Sequence, residues 1–186
     1  MTNLETLLAQ VRVLPLIQTD SISTALQLAE RLADDGMTMV EIVLRSKNAL
    51  SCIEAISLNL PEITVGAGTV LDSQQAAQAI QSGAQFLVSP GFDANVLDTA
   101  QQAGLDYFPG CATATEVLAA RNLGLHTLKF FPATASGGVP MLQALAAVFT
   151  DVSFIPTGGI NASNLDEYLA LANVLACGGS WLTPSE

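Results

Sequence analysis

Strand-type and helix-type stretches alternate along the whole of this chain, and that alternation restricts the available folds more than any other feature. Short apolar runs of β-type composition begin at Val13 (VLPLI), Met37 (MTMVEIVLR), Ile63 (ITVGAGTV), Gln85 (QFLVSP), Leu105 (LDYFPG), Thr127 (TLKFFPA), Val152 (VSFIPTGG) and Asn173 (NVLACGGS). Between them lie helical patterns such as SISTALQLAERLADDG, LDSQQAAQAIQSG, FDANVLDTAQQAG and ATATEVLAARNLG, each closing on the glycine that helix C-termini favour. Parallel strands need crossover helices. A unit recurring eight times, roughly every 20–26 residues, therefore predicts an α/β fold of the (β/α)8 TIM-barrel type.

The opening TNLETLLAQ carries the Thr2-x-x-Glu5 spacing of a capping box, which predicts an extra helix before the first strand, placed to cover the bottom of the barrel. At the other end, about ten residues follow the eighth strand. The eighth helix is therefore expected to be missing or truncated, with a neighbouring subunit as one way to cover that side. No low-complexity linker or charge block divides the chain, so residues 1–186 are expected to form a single domain.

Half of the residues are hydrophobic and 12% are charged, a balance suited to a packed core and not to disorder. Against a net charge of −11, the six basic residues Arg12, Arg31, Arg45, Lys47, Arg121 and Lys129 are scattered. Nucleic acid is set aside as a partner, because it needs several cations facing phosphates. No apolar run approaches the ~20 residues of a membrane span, and the acidic N-terminus does not read as a signal peptide, so a cytoplasmic protein is expected. Cys52, Cys111 and Cys177 are far apart in apolar surroundings, which predicts free buried thiols.

Catalytic groups in such barrels project from the C-terminal ends of strands. Lys129, in LKFFPA, is one of two lysines and is flanked by Leu128, Phe130 and Phe131. Its ammonium could simply reach solvent at the strand end. In a dry pocket, however, desolvation lowers a lysine pKa from about 10.4 towards about 7–8, which yields the nucleophilic amine that imine formation with a ketone requires. On the second strand Glu41, Val43 and Arg45 share one face by alternation. Their charges could form an ion pair within the barrel. Alternatively, Glu41 shuttles protons and Arg45 grips a carboxylate through paired hydrogen bonds.

GAGTV ends the third strand with Gly66, Gly68 and the hydroxyl of Thr69, and lacks the third glycine of a dinucleotide fingerprint. Thr157-Gly158-Gly159 and Gly178-Gly179-Ser180 follow the last two strands, where barrels commonly hold phosphate. His126 is the only histidine, which argues against a histidine-rich metal site or a Ser-His-Asp triad. By alternation it faces away from Lys129, and no catalytic part is assigned to it.

Taken together, E-I-V-L-R (41–45), G-A-G-T-V (66–70), S-P-G (89–91), P-G (109–110), K-F-F-P-A (129–133), P-T-G-G-I (156–160) and G-G-S-W-L (178–182) resemble the 2-keto-3-deoxy-6-phosphogluconate (KDPG) aldolases, also called KHG/KDPG aldolases. The resemblance implies a homotrimeric class I aldolase without metal or cofactor, whose partner is a small 2-keto acid phosphate. It would cleave 2-dehydro-3-deoxy-6-phosphogluconate to pyruvate and glyceraldehyde 3-phosphate in the Entner–Doudoroff pathway. It further implies that Lys129 is the Schiff-base lysine, that Glu41 moves protons, and that Arg45 with Thr69 holds the pyruvate carboxylate. Phe131 and Thr157 would lie near the substrate chain, and Gly158, Gly159, Gly179 and Ser180 would hold the phosphate. Val43 stands where a threonine is familiar in the family, and Cys111 and Ala112 after Pro109-Gly110 also depart from its pattern. Three alternatives stay open: preference for the 6-phosphogalactonate epimer, use of unphosphorylated 4-hydroxy-2-oxoglutarate, and a non-catalytic phosphosugar-binding barrel.

Overall fold

A computed structural model describes residues 2–183. Its strands are β1 (Val13–Ile17), β2 (Met39–Val43), β3 (Thr64–Gly68), β4 (Phe86–Val88), β5 (Asp106–Phe108), β6 (Gly110–Cys111), β7 (Thr127–Phe130), β8 (Ser153–Pro156) and β9 (Cys177–Gly179). The helices are α1 (Asn3–Val11), α2 (Ile22–Asp34), α3 (Ala49–Asn59), α4 (Ser73–Gln81), α5 (Ala94–Ala103), α6 (Ala114–Asn122), α7 (Gly138–Ala146) and α8 (Leu165–Leu169). The result is an α/β fold in which every strand pairing is parallel.

One sheet runs in the order β5-β4-β3-β2-β1-β9 and a second in the order β6-β7-β8. The run LDYFPG is read as one strand in the sequence, yet it is split into β5 and β6 because Pro109 has no N–H to give to a ladder. Its carbonyl still accepts from the Lys129 amide at 2.9 Å, so β5 pairs with β4 while β6 pairs with β7. The bridges Phe154↔Val174 and Thr157↔Gly178 join β8 to the segment carrying β9, and β9 pairs with β1.

Alternation sorts the side chains into an inner and an outer set. Leu14, Met39, Phe86, Val88, Phe108, Ile155 and Ala176 pack together inside the curl of the sheets. Leu4, Leu7, Leu8 and Val11 of α1 close this cluster from one end. The sequence gives α1 its start: Thr2 accepts from the Glu5 amide and the Glu5 carboxylate accepts from the Thr2 amide, completing the expected capping box. Intervening residues such as Val65, Ala67 and Leu87 face α2–α5, and Leu128, Phe130 and Phe154 face α6–α8. Arg12, in a left-handed C-cap at φ 60°, ties α1 to the end of α8 and to the run into β9 by donating to the Leu169, Val174 and Leu175 carbonyls.

The described residues after β9 form a turn, Ser180–Thr183, in which the Thr183 hydroxyl donates to the Leu16 carbonyl. A helix after the last strand is not among the described residues. No helix of the described residues is long and apolar enough to cross a membrane.

Candidate active site

The inner layer above Met39 and Phe86 holds charge instead of hydrocarbon. Glu41 occupies the middle inward position of β2 and Lys129 the corresponding position of β7, and they are only 1% and 5% exposed. Lys129 Nζ lies 3.5 Å from Glu41 Oε1 and 5.3 Å from the centre of the Phe131 ring, close enough for a cation–π contact. Glu41 Oε1 is buried without a hydrogen-bond partner among the described residues. A buried carboxylate oxygen is costly to leave in this state, so the arrangement is prepared to take a proton or a hydrogen-bond donor.

These two groups form the floor of a cavity of about 300 Å³ at the C-terminal ends of the strands. Its lining brings together all ten residues singled out in the sequence: Glu41, Arg45, Thr69, Lys129, Phe131, Thr157, Gly158, Gly159, Gly179 and Ser180. Leu16, Val43, Pro90, Ile160 and Gly178 complete the wall. Pro90 and Ile160 lie in the quoted S-P-G and P-T-G-G-I motifs without an assigned role, and Leu16 is not singled out because one apolar residue in an apolar run carries no signal of its own.

Two of the ten reach the cavity by a different route from the one expected. Arg45 does not continue the β2 alternation, because β2 ends at Val43. The Leu44 amide donates to Gly68, the Arg45 amide turns back to Val43 at 2.8 Å, and the exposed Arg45 side chain enters from the rim. Thr69 has φ 58°, a left-handed conformation that is a strained outlier for a β-branched residue. Such strain at a cavity wall marks a place where geometry outweighs local stability.

Also lining the cavity, the turn after β8 bends through Gly158 (φ 98°) and Gly159 (φ 81°), a conformation that L side chains resist. It is held by the Ala133 amide donating to Thr157, the Thr134 amide donating to Gly158, and the Asn164 side chain donating to Gly159. A guanidinium and a left-handed glycine turn on one cavity lining are both features suited to anionic groups.

Other reactive side chains face elsewhere. Cys111 and Cys177 pack in the outer cluster, and burial pushes both thiols up to about 12, so they are neutral near pH 7. Cys52 is also free and buried, as expected of all three. His126 is on the surface, with Nδ1 3.1 Å from the Asp151 carbonyl, and takes no part in the cavity.

Comparison with known proteins shows the family and the fold. The family model for KDPG and KHG aldolase matches residues 4–186. The KHG/KDPG aldolase of Escherichia coli K12 is 42% identical over 185 residues, covering 100% of this chain and 87% of that protein. The KDPG aldolase of Legionella pneumophila, solved with pyruvate captured at low pH as a covalent carbinolamine intermediate, superposes with a TM-score of 0.95 at 38% identity, covering 99% of this chain and 89% of that one. The aldolase of Zymomonas mobilis ZM4, solved with 3-phosphoglycerate, has a TM-score of 0.94 at 36% identity, with 99% and 88% of the two chains covered.

Proposed function

The chain belongs to the KDPG and KHG aldolase family, and from that premise we propose that it is a class I aldolase cleaving 2-dehydro-3-deoxy-6-phosphogluconate to pyruvate and glyceraldehyde 3-phosphate. The observation that carries this reading is the buried pair of Lys129 Nζ and Glu41 Oε1, 3.5 Å apart on the floor of a cavity with one cationic rim.

In this mechanism the neutral Lys129 amine adds to the C2 ketone, and the carbinolamine takes up a proton from solvent and loses water to leave a protonated imine. The Glu41 carboxylate takes the C4 hydroxyl proton. The C3–C4 bond breaks, its electrons pass through C2–C3 to the imine nitrogen, and the aldehyde departs. Glu41, now a carboxylic acid, returns a proton to C3 of the enamine, and water releases pyruvate from Lys129. The imine supplies the electron sink that a Lewis acid would otherwise provide.

Arg45 and Thr69 hold the carboxylate next to the reacting ketone, and Phe131 and Thr157 border the sugar chain. Gly158, Gly159, Gly179 and Ser180 form the phosphate pocket, a role supported by the two consecutive left-handed glycines at that end. The barrel is read as eight-stranded, with β5 and β6 as one interrupted strand and α1 as its bottom cover. Residues 1–186 then act as one domain in a cytoplasmic homotrimer, in the Entner–Doudoroff setting.

A solved relative 42% identical to this chain, a 4-hydroxy-2-oxoglutarate aldolase as well as a 2-dehydro-3-deoxyphosphogluconate aldolase, supports a second substrate, 4-hydroxy-2-oxoglutarate, cleaved to pyruvate and glyoxylate. Pyruvate release from the phosphorylated substrate, its galactonate epimer and 4-hydroxy-2-oxoglutarate tests the reading. A kcat/KM for the first well above the others is expected. Equal values would remove the phosphate pocket, and no release from any would leave a phosphosugar-binding barrel.

A further inference from the structure

Two successive inward positions of β3, Gly66 and Gly68, carry no side chain, and neighbouring strands fill the space. A Cβ on Gly66 would lie 2.3 Å from the Phe86 ring, which belongs to the inner apolar cluster. A Cβ on Gly68 would lie 1.9 Å from Glu41 Oε1 and 2.6 Å from both Cδ and Cγ of Glu41. All of these distances are under 3.0 Å, closer than real Cβ atoms essentially ever come. Neither glycine has a positive φ, so the backbone there is open to alanine and the requirement is for space alone.

Register adds the direction. Glu41 is paired with Gly66, while Gly68 is paired with Val43, one inward layer nearer the cavity. The Glu41 carboxylate thus leans out of its own layer into the space that Gly68 leaves, and this brings Oε1 to 3.5 Å from Lys129 Nζ with no hydrogen-bond partner among the described residues. We propose that Gly68 is a positioning residue for the reaction, its missing side chain being the space through which the Glu41 carboxylate reaches the substrate imine on Lys129. This inference rests on the aldolase reading above.

Gly68→Ala should therefore separate imine formation from proton transfer. Borohydride trapping of pyruvate on Lys129 should persist within about threefold of wild type. Exchange of the pyruvate methyl protons in D2O and overall turnover should both fall about 100-fold, the size of effect that follows from misplacing a catalytic group by about 1 Å. In a Glu41→Ala background the same substitution meets no carboxylate, so it should cost no further activity and no melting temperature. This double variant keeps the test decisive if Gly68→Ala alone folds poorly, because rescue of folding by Glu41→Ala is itself the expected result. Methyl exchange near wild type in Gly68→Ala, or an equal loss of melting temperature with and without Glu41, would overturn the proposal. Absence of trapping in the wild-type protein would instead overturn the aldolase reading on which it rests.

Discussion

At the scale of single residues, burial decides the roles. Lys129 and Glu41 are both buried, 3.5 Å apart, where removing one partner leaves the other without its counterpart away from water. Arg45 is exposed at the rim, where water competes for its guanidinium, and in the proposed function it would contribute a charge-assisted hydrogen bond. Such bonds are worth about 1.5–3 kcal/mol, so Arg45→Ala should lower kcat/KM roughly 10- to 150-fold. Arg45→Lys should recover part of the loss, because it restores the charge without the planar fork. Steady-state kinetics on both variants tests this, and equal activities for Arg45→Ala and wild type would remove Arg45 from the carboxylate grip.

At the scale of elements, the helix caps and the last strand make separable predictions. Helix α6 begins at a capping box in which Glu116 Oε2 accepts from the Ala112 amide, the Thr113 amide and the Thr113 hydroxyl, each at 2.9 Å. Those donors, the Ala112 amide foremost, hold the Glu116 carboxyl below the usual carboxylate range. A folded-state pKa below the unfolded value means that the stabilisation is complete above about pH 4.3 and is lost as pH falls through the folded value. Thr113→Ala should cost about 0.5–2 kcal/mol near pH 7, and Glu116→Gln should lose its melting-temperature deficit in acid. Thermal melts at pH 7 and pH 3 check both. After β9, the only tryptophan, Trp181, lies against Gly179, where a Cβ would be 1.5 Å from the ring. Inorganic phosphate should therefore change Trp181 fluorescence if the Gly179-Ser180 segment binds the phosphate, and pyruvate should change it less.

At the scale of the whole molecule, the three free thiols report on opening. Cys52, Cys111 and Cys177 are buried, and burial is the main cause that raises all three pKa values. Labelling by a thiol-specific disulfide reagent should follow the rate of unfolding and speed up sharply in denaturant, whereas prompt labelling of the native protein would contradict the packing described. The sequence made the broad plan legible because the information is local. Glycine-closed helices, period-two strands and the Thr2–Glu5 box each depend on neighbours in the chain, and the motifs around Lys129 and Glu41 carried the cavity. What stayed hidden depends on contacts between strands. The break at Pro109 shows only when the two partner ladders are known, and the route of Arg45 follows from the Leu44–Gly68 hydrogen bond. The left-handed Thr69 and the space at Gly68 exist only once Glu41 and the third strand are brought together.

The central claim is covalent. Incubation with pyruvate, reduction with borohydride and peptide mass spectrometry test it directly. A reduced pyruvyl group on the peptide carrying Lys129, absent from Lys129→Met, is the predicted result; no adduct, or an adduct confined to Lys47, would contradict the account.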